Sequence, residues 1–206
     1  MTREEELLKA TDSGTIAEVR RLLRRGFIGR LLGRRVNVNA RDPQGNTALF
    51  HAVRRGEWEM VEVLLEHGAE ANARNSRADT PLFLAASLGN VEAAVALVSA
   101  GAEVNARNVE FYTPLHRAAG PEGKEGSPTI ARLLLERGAD PNAKGVDGDT
   151  PLHVSASHGT VQVAQVLLAH GARANEPDAK GRTPLQLAMR AGNFNVVDLL
   201  RFRGTA

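Results

Sequence analysis

Six histidines, at 51, 67, 116, 153, 158 and 170, are the residues of this 206-residue chain that acid–base or metal chemistry would use first. Their surroundings assign most of them elsewhere. His67 and His170 stand directly before Gly68 and Gly171, where a cation complements the end of a helix. His116 and His153 each close a Thr-Pro-Leu-His step, leaving His51 and His158 without a set role. Ser155 and Ser157 flank His158, with Asp147 and Asp149 upstream. No nucleophile spacing emerges, nor two histidines four apart with a glutamate between them. Glycine-rich phosphate loops of the Gly-x-Gly-x-x-Gly or Gly-x-x-x-x-Gly-Lys kind are missing, and the chain has no cysteine for thiol chemistry or disulfides. The residues therefore point away from catalysis, with no cofactor and no metal expected.

What does recur is structural. Thr47-Ala48-Leu49 is followed by Thr80-Pro81-Leu82, Thr113-Pro114-Leu115, Thr150-Pro151-Leu152 and Thr183-Pro184-Leu185, at spacings of 33, 33, 37 and 33 residues. Gly68, Gly101, Gly138, Gly171 and Gly204 keep the same intervals, as do Asn72, Asn105, Asn142 and Asn175. Two registers moving together at a period near 33 indicate stacked copies of one supersecondary unit. Within a unit, Thr is an N-cap and Pro takes the first helical position, where its missing N–H costs nothing. Stripes such as Val61, Leu64 and Leu65, or Ala164, Leu167 and Leu168, give the second helix one apolar face, and glycine ends it. The asparagines read as turn formers bonding the hairpin backbone.

The pattern Thr-Pro-Leu-His-x-Ala-Ala, Gly, Leu-Leu-x-x-Gly-Ala-x-x-Asn-Ala, nearly spelled out from Asp149 to Ala174, resembles the ankyrin repeat. The resemblance covers about five units from 42 to 206 and, more faintly, Leu7 to Gly26. It implies an all-α solenoid of helix-turn-helix repeats joined by β-hairpin loops. Residues 1–206 read as one domain: a capping repeat at 1–41 with an insertion at about 27–35, internal repeats at 42–74, 75–107, 108–144 and 145–177, and a capping repeat at 178–206. The 108–144 repeat carries four additional residues in a loop at about 120–127. Arg201 replaces a leucine of the earlier stripes, so the stack is expected to end in a polar face. No stretch approaches the roughly 20 apolar residues of a membrane span and the start lacks a signal peptide, so a soluble, cytoplasmic monomer is expected.

The family resemblance also places partner contacts at the hairpin tips and on the first helix. At those positions stand Arg54, Arg55, Arg77, Phe111, Tyr112 and His158, and the residue after each Asn-Ala step is Arg41, Arg74, Arg107 or Lys144. The concave face therefore reads as basic, suited to an acidic or amphipathic segment of another protein. Phe111 is one of two exceptions with Ala78, because the other three units place Gly45, Gly148 and Gly181 there. Either the hairpin changes shape, or Phe111 and Tyr112 stand out as interface anchors.

An alternative site lies near the start. The 26 basic and 24 acidic residues nearly cancel, yet residues 1–41 hold ten Lys/Arg against five Asp/Glu. Arg24, Arg25, Arg34 and Arg35 there interleave with Leu23, Phe27, Ile28 and Leu31. Val19, Leu23, Phe27 and Leu31 are four apart, so the second helix of the first unit could run on, weakened by Gly26, Gly29 and Gly33. Such an arginine-rich segment, 20–35, suits nucleic acid or an anionic membrane surface, or it folds over the end of the stack as a cap.

Overall fold

The computed structural model describes residues 2–29, 36–120, 127–158 and 160–203, with the backbone alone given at 24–29 and 203. The described residues form helices α1 (Arg3–Asp12), α2 (Ile16–Gly29), α3 (Ala48–Arg55), α4 (Trp58–Glu66), α5 (Pro81–Leu88) and α6 (Val91–Ser99). They continue with α7 (Pro114–Ala118), α8 (Pro128–Glu136), α9 (Pro151–His158), α10 (Val161–Ala169), α11 (Pro184–Ala191) and α12 (Phe194–Arg203), and no strand occurs among them. Two compact units divide the chain: Met1–Ala85 with Glu92–Glu103, and Ala86–Val91 with Val104–Ala206.

In the first unit α1 packs on α2 and α3, and α2 and α3 each pack on α4. In the second, α7, α9 and α11 form one layer and α8, α10 and α12 another, each helix of the first layer pairing with its successor in the second. The recurring leucines make the core. Leu49, Leu115 and Leu152 are fully buried, as are Leu64, Leu134 and Leu167 from the second-helix stripes. Burying one leucine is worth roughly 1.5–3 kcal/mol, and only the neighbouring repeat provides the cover. Two sequence readings meet the structure differently at the ends. Helix α2 runs on past Gly26 to Gly29, as the four-residue spacing implied. The last repeat does not present a purely polar face. Met189 stands where Ala119 and Ala156 are fully buried in earlier repeats, yet Met189, Phe194 and Phe202 are exposed, with no described helix after α12 to cover them.

Polar bonds lock the repeats in register. Asn39 and Asn72 in the first unit donate from Nδ2 to the carbonyls of Gly68 and Gly101, each at 3.1 Å. Their Oδ1 atoms accept the N–H groups of Glu70 and Glu103 at 2.9 and 2.8 Å. Asn105 and Asn142 do the same in the second unit, donating to Gly138 and Gly171 and accepting from Asp140 and Arg173. The expected role as formers of their own hairpin is thus replaced by a larger one, a clamp on the helix end of the following repeat. Hairpin tips are joined too, by Ser76 N–H to Gln44 O at 3.0 Å in the first unit, and by Val146 N–H to Glu110 O and Ala179 N–H to Asp147 O in the second.

The threonine caps differ from one another: Thr80, followed by Phe83, accepts the Phe83 N–H on its hydroxyl at 3.2 Å. His116 accepts at Nδ1 from the Thr113 N–H at 3.1 Å and lies 2.9 Å from its hydroxyl. Phe50 occupies that register after Thr47, whose buried Oγ1 has no hydrogen-bond partner. Replacing Thr47 by the isosteric valine is therefore expected to leave stability unchanged or raise it by up to about 1 kcal/mol, whereas Thr113→Val is expected to cost about 1–3 kcal/mol. Denaturant midpoints of the two variants check this, and equal losses would refute it.

Candidate partner-binding surface

The five hairpins close alike, with backbone bonds from the N–H of Asp42, Asn75, Asn108, Gly145 and Asp178 to the carbonyl four residues on, at 2.9–3.1 Å. In four of them the opening side chain also braces the turn. Asp42 Oδ1 accepts the N–H groups of Gln44 and Asn46, Asn75 those of Arg77 and Asp79, Asn108 those of Glu110 and Tyr112, and Asp178 those of Lys180 and Arg182. Gly145 has no side chain to do this. Its place is taken by Tyr112 of the preceding hairpin, whose ring edge lies against the Gly145 Cα. A methyl group there would overlap that ring and lie 2.8 Å from Asp149 Oδ1.

The exchange leaves Asp149 in an unusual position. Elsewhere the residue at its register bonds the opening Asx side chain, as Asn46 does with Asp42 and Arg182 with Asp178. Asp149 has no such partner, and its Oδ1 is buried without a hydrogen bond. Burial pushes the Asp149 carboxyl above its ordinary value, against the pull of the Tyr112 hydroxyl and the His153 ring. The Tyr112 hydroxyl is driven up to about 12, first by burial and then by the Asp149 charge. Asp178 shows the opposite balance: burial works against its charge, but the Arg182 guanidinium and the Arg182 and Lys180 N–H groups hold it at about 2.

Tyr112, Asp147, Asp149, His153, Ser157 and His158 line part of a cavity of about 440 Å³ in the second unit. Arg117 stands over the Tyr112 ring with its Cζ 5.6 Å from the centroid, and the His116 ring tilts against the same tyrosine at 5.1 Å. Just outside, three apolar side chains face solvent on adjoining tips: Val109, Phe111 and Val146, at 60%, 53% and 61% exposure. The change of hairpin shape that the sequence left open does not occur: Phe111 adopts a left-handed φ of +62°, as Ala78 does at +56° and Gly148 and Gly181 at +72° and +75°. For a residue with a Cβ this costs about 1–2 kcal/mol.

The other residues singled out by sequence are placed as follows. Arg54 is exposed on α3, while Arg55 bonds Glu57 at 2.9 Å and the Asp12 carbonyl at 2.9 Å. Arg74 pairs with Glu103 at 3.6 Å and Arg77 with Asp79 at 3.8 Å. In the second unit Lys144 pairs with Glu176 at 2.6 Å, Arg107 is exposed, and His158 holds the Val154 carbonyl through Nδ1 at 2.8 Å. Tyr112 and His158 thus line one cavity, with Phe111 beside Tyr112 in the chain. The side chains of Arg24 and Arg25, and all of Arg34 and Arg35, lie outside the described residues, as does 121–126 of the longer loop. Sequence reasoning missed the Gly145–Tyr112 exchange, although the register carried the signal: Asp42, Asn75, Asn108 and Asp178 share a position that only Gly145 breaks. It also left His51 unassigned, where the structure puts the ring between Asp12 at 3.0 Å and Asp42 at 3.1 Å.

Comparison with known proteins converges on the same architecture. The family described as "Ankyrin repeats (3 copies)" matches over residues 7–108, 71–145 and 115–205. The chain belongs to the ankyrin repeat family. Caskin-1 of Rattus norvegicus and that of Mus musculus are each 40% identical to it over 70 residues, 32% of this chain. The match spans only 5% of Caskin-1. The Putative ankyrin repeat protein L92 of Acanthamoeba polyphaga mimivirus is 54% identical over 39 residues, 19% of this chain and 9% of that protein. Ankyrin repeats are protein–protein interaction modules, and the all-α solenoid class implied by the sequence is the one these repeats and helices form. No helix of the described residues is long and apolar enough to cross a membrane.

The ankyrin histidines make folding pH-dependent. His116 and His153 accept from threonine at Nδ1 and present Nε2 to the Asp149 and Arg182 carbonyls of the next hairpin at 3.2 and 3.0 Å, an arrangement that suits the neutral ring protonated at Nε2. Burial, opposed by those carbonyls, lowers His116 to about 4 and His153 in the same direction. Because the unfolded chain then binds protons more readily, this stability is complete above about pH 6.5 and is lost as pH falls toward 4. For His116 the loss amounts to roughly 3 kcal/mol by pH 4. His116→Gln, the residue the last repeat uses as Gln186, is expected to flatten that part of the stability–pH curve. Parallel curves for the variant and the parent would show the assignment to be wrong.

Proposed function

We propose that this ankyrin protein is a non-catalytic interaction module, a scaffold or inhibitor. Its contact centre is the hairpin edge of the second unit, and its partner is an amphipathic segment of another protein. The observation that carries the reading is Phe111. A bulky aromatic is kept in a glycine conformation, half exposed, between Val109 and Val146, where glycine would fold at lower cost. Large aromatic anchors surrounded by lesser contacts are what dominates protein interfaces. The basic positions favour an amphipathic segment over a purely acidic one, since Arg74, Arg77 and Lys144 each lie within 4 Å of a carboxylate of their own unit. Such exposed pairs contribute little to stability and leave the side chains as rim contacts.

Phe111→Gly separates folding from binding. Relief of the left-handed strain, partly offset by glycine's freedom in the unfolded chain, is expected to raise stability by about 0.5–1 kcal/mol, while capture of the partner is lost. The check is a denaturation curve beside an affinity capture at low and moderate salt with parent and variant as bait. A discrete protein held at moderate salt by the parent alone supports the reading. Recovery of only nucleic acid or anionic lipid, eluted by salt equally from both baits, would instead assign function to the arginine-rich segment 20–35.

A further inference from the structure

The cavity behind the apolar tips has a charge character that the sequence did not announce. Its two arginines are already matched: Arg117 lies 3.8 Å from Glu110, and Arg182 lies 2.6 Å from Asp178. The ion pairs of the second unit among the described residues, those two with Lys144–Glu176 and Arg173–Glu176, include neither Asp147 nor Asp149. Both aspartates line the cavity beside the Tyr112 ring. Asp147 is exposed at the turn, and Asp149 has lost the Asx partner it would have had at Gly145. The wall therefore presents two carboxylates that no ion pair among the described residues neutralises, one of them hydrogen-bonded to the Tyr112 hydroxyl, and an aromatic ring adjacent in sequence to the apolar Phe111, the combination that recognises a guanidinium or ammonium group on an aliphatic stem.

Resting on the interaction reading above, we propose that this cavity receives a cationic side chain, arginine or lysine, from a partner segment whose apolar residues lie on Val109, Phe111 and Val146. The occupant is thus an apolar-basic peptide. Charge complementarity decides it: an acidic side chain would meet Asp147 and Asp149, and a neutral one would leave both carboxylates without a counter-charge. The cation is held beside the Tyr112–Gly145 contact, so the one hairpin lacking its Asx brace is the one that makes the recognition site.

A displayed library of random peptides selected on the full chain tests this whatever the identity of the partner. Selection is expected to enrich one basic position beside two or more apolar ones. In the best peptide, changing the basic residue to glutamine is expected to weaken binding at least tenfold. Asp147→Lys, an exposed turn substitution, is expected to abolish the basic preference, and the double variant Asp147→Asn with Asp149→Asn to remove it while apolar enrichment persists. Circular dichroism melting of each variant confirms that it is folded. Enrichment of acidic residues, or equal binding of the glutamine peptide, overturns the cationic pocket but leaves the Phe111 surface standing. If the parent enriches nothing over Phe111→Gly, both the pocket and the interaction reading fall.

Discussion

Four repeats among the described residues, those ending in Gly68, Gly101, Gly138 and Gly171, depend on the side-chain amide of an asparagine that belongs to the repeat before. A helix pair that buries its leucines only against a neighbour has no way, from apolar contact alone, to fix how far along the stack that neighbour sits. The asparagine removes the ambiguity. Asn105 gives Nδ2–H to the Gly138 carbonyl at 2.9 Å and takes the Asp140 N–H on Oδ1 at 2.9 Å, so one planar group satisfies a donor and an acceptor left over at a helix end. The same pair of bonds at Asn142, and at Asn39 and Asn72 in the first unit, holds successive repeats at one spacing. Glycine at the helix end suits this clamp because the φ of +86° at Gly68 and Gly138 turns the carbonyl outward to meet it.

Once the register is fixed, individual repeats have room to differ, and the differences are compensated locally. Where histidine gives way to Phe50 and Phe83 the ring is buried, and the Thr80 hydroxyl takes the Phe83 N–H while that of Thr47 is orphaned. At Gly145, where the Asx brace is missing, a tyrosine from the neighbouring hairpin supplies the missing bulk. That second substitution fills volume and brings the Tyr112 hydroxyl to the Asp149 carboxyl, but leaves Asp149 Oδ1 buried without a donor. A buried charge in that state is costly. Asp149 lines a cavity rather than the leucine core.

Much of this is legible in the sequence. The 33-residue spacing locates the helix starts at Pro81, Pro114, Pro151 and Pro184, and the helix-ending glycines follow, because capping and left-handed turns are local requirements that a sequence must meet residue by residue. Phe111 is legible as an anomaly for the same reason. Pairing across repeats is not. The arginine ladder reads as a free basic face, yet Arg41 bonds the carbonyls of Gly45 and Arg74, and Lys144 reaches Glu176. Such cross-repeat partners lie about 30 residues away, and which carboxylate turns toward which cation is set by side-chain rotamers that no periodicity encodes. The polar end expected from Arg201 fails similarly: one substituted position does not describe a face to which Met189 and Phe194 also contribute.

The two irregular residues of the second unit belong to one hairpin, and their adjacency is an argument in itself. Phe111 and Tyr112 are consecutive, one held outward in a left-handed turn and the next folded back onto Gly145. Phe111 is left half exposed at the turn while the Tyr112 ring lies against Gly145. The missing side chain at 145 leaves the space that the Tyr112 ring fills, while the left-handed turn at 111 is the one that every hairpin shares. Interfaces are built most effectively on side chains whose conformation is settled before the partner arrives, because less freedom is then lost on binding. A glycine at 111 would fold at lower cost and present nothing; the aromatic presents a half-exposed apolar surface next in sequence to the cavity-lining Tyr112.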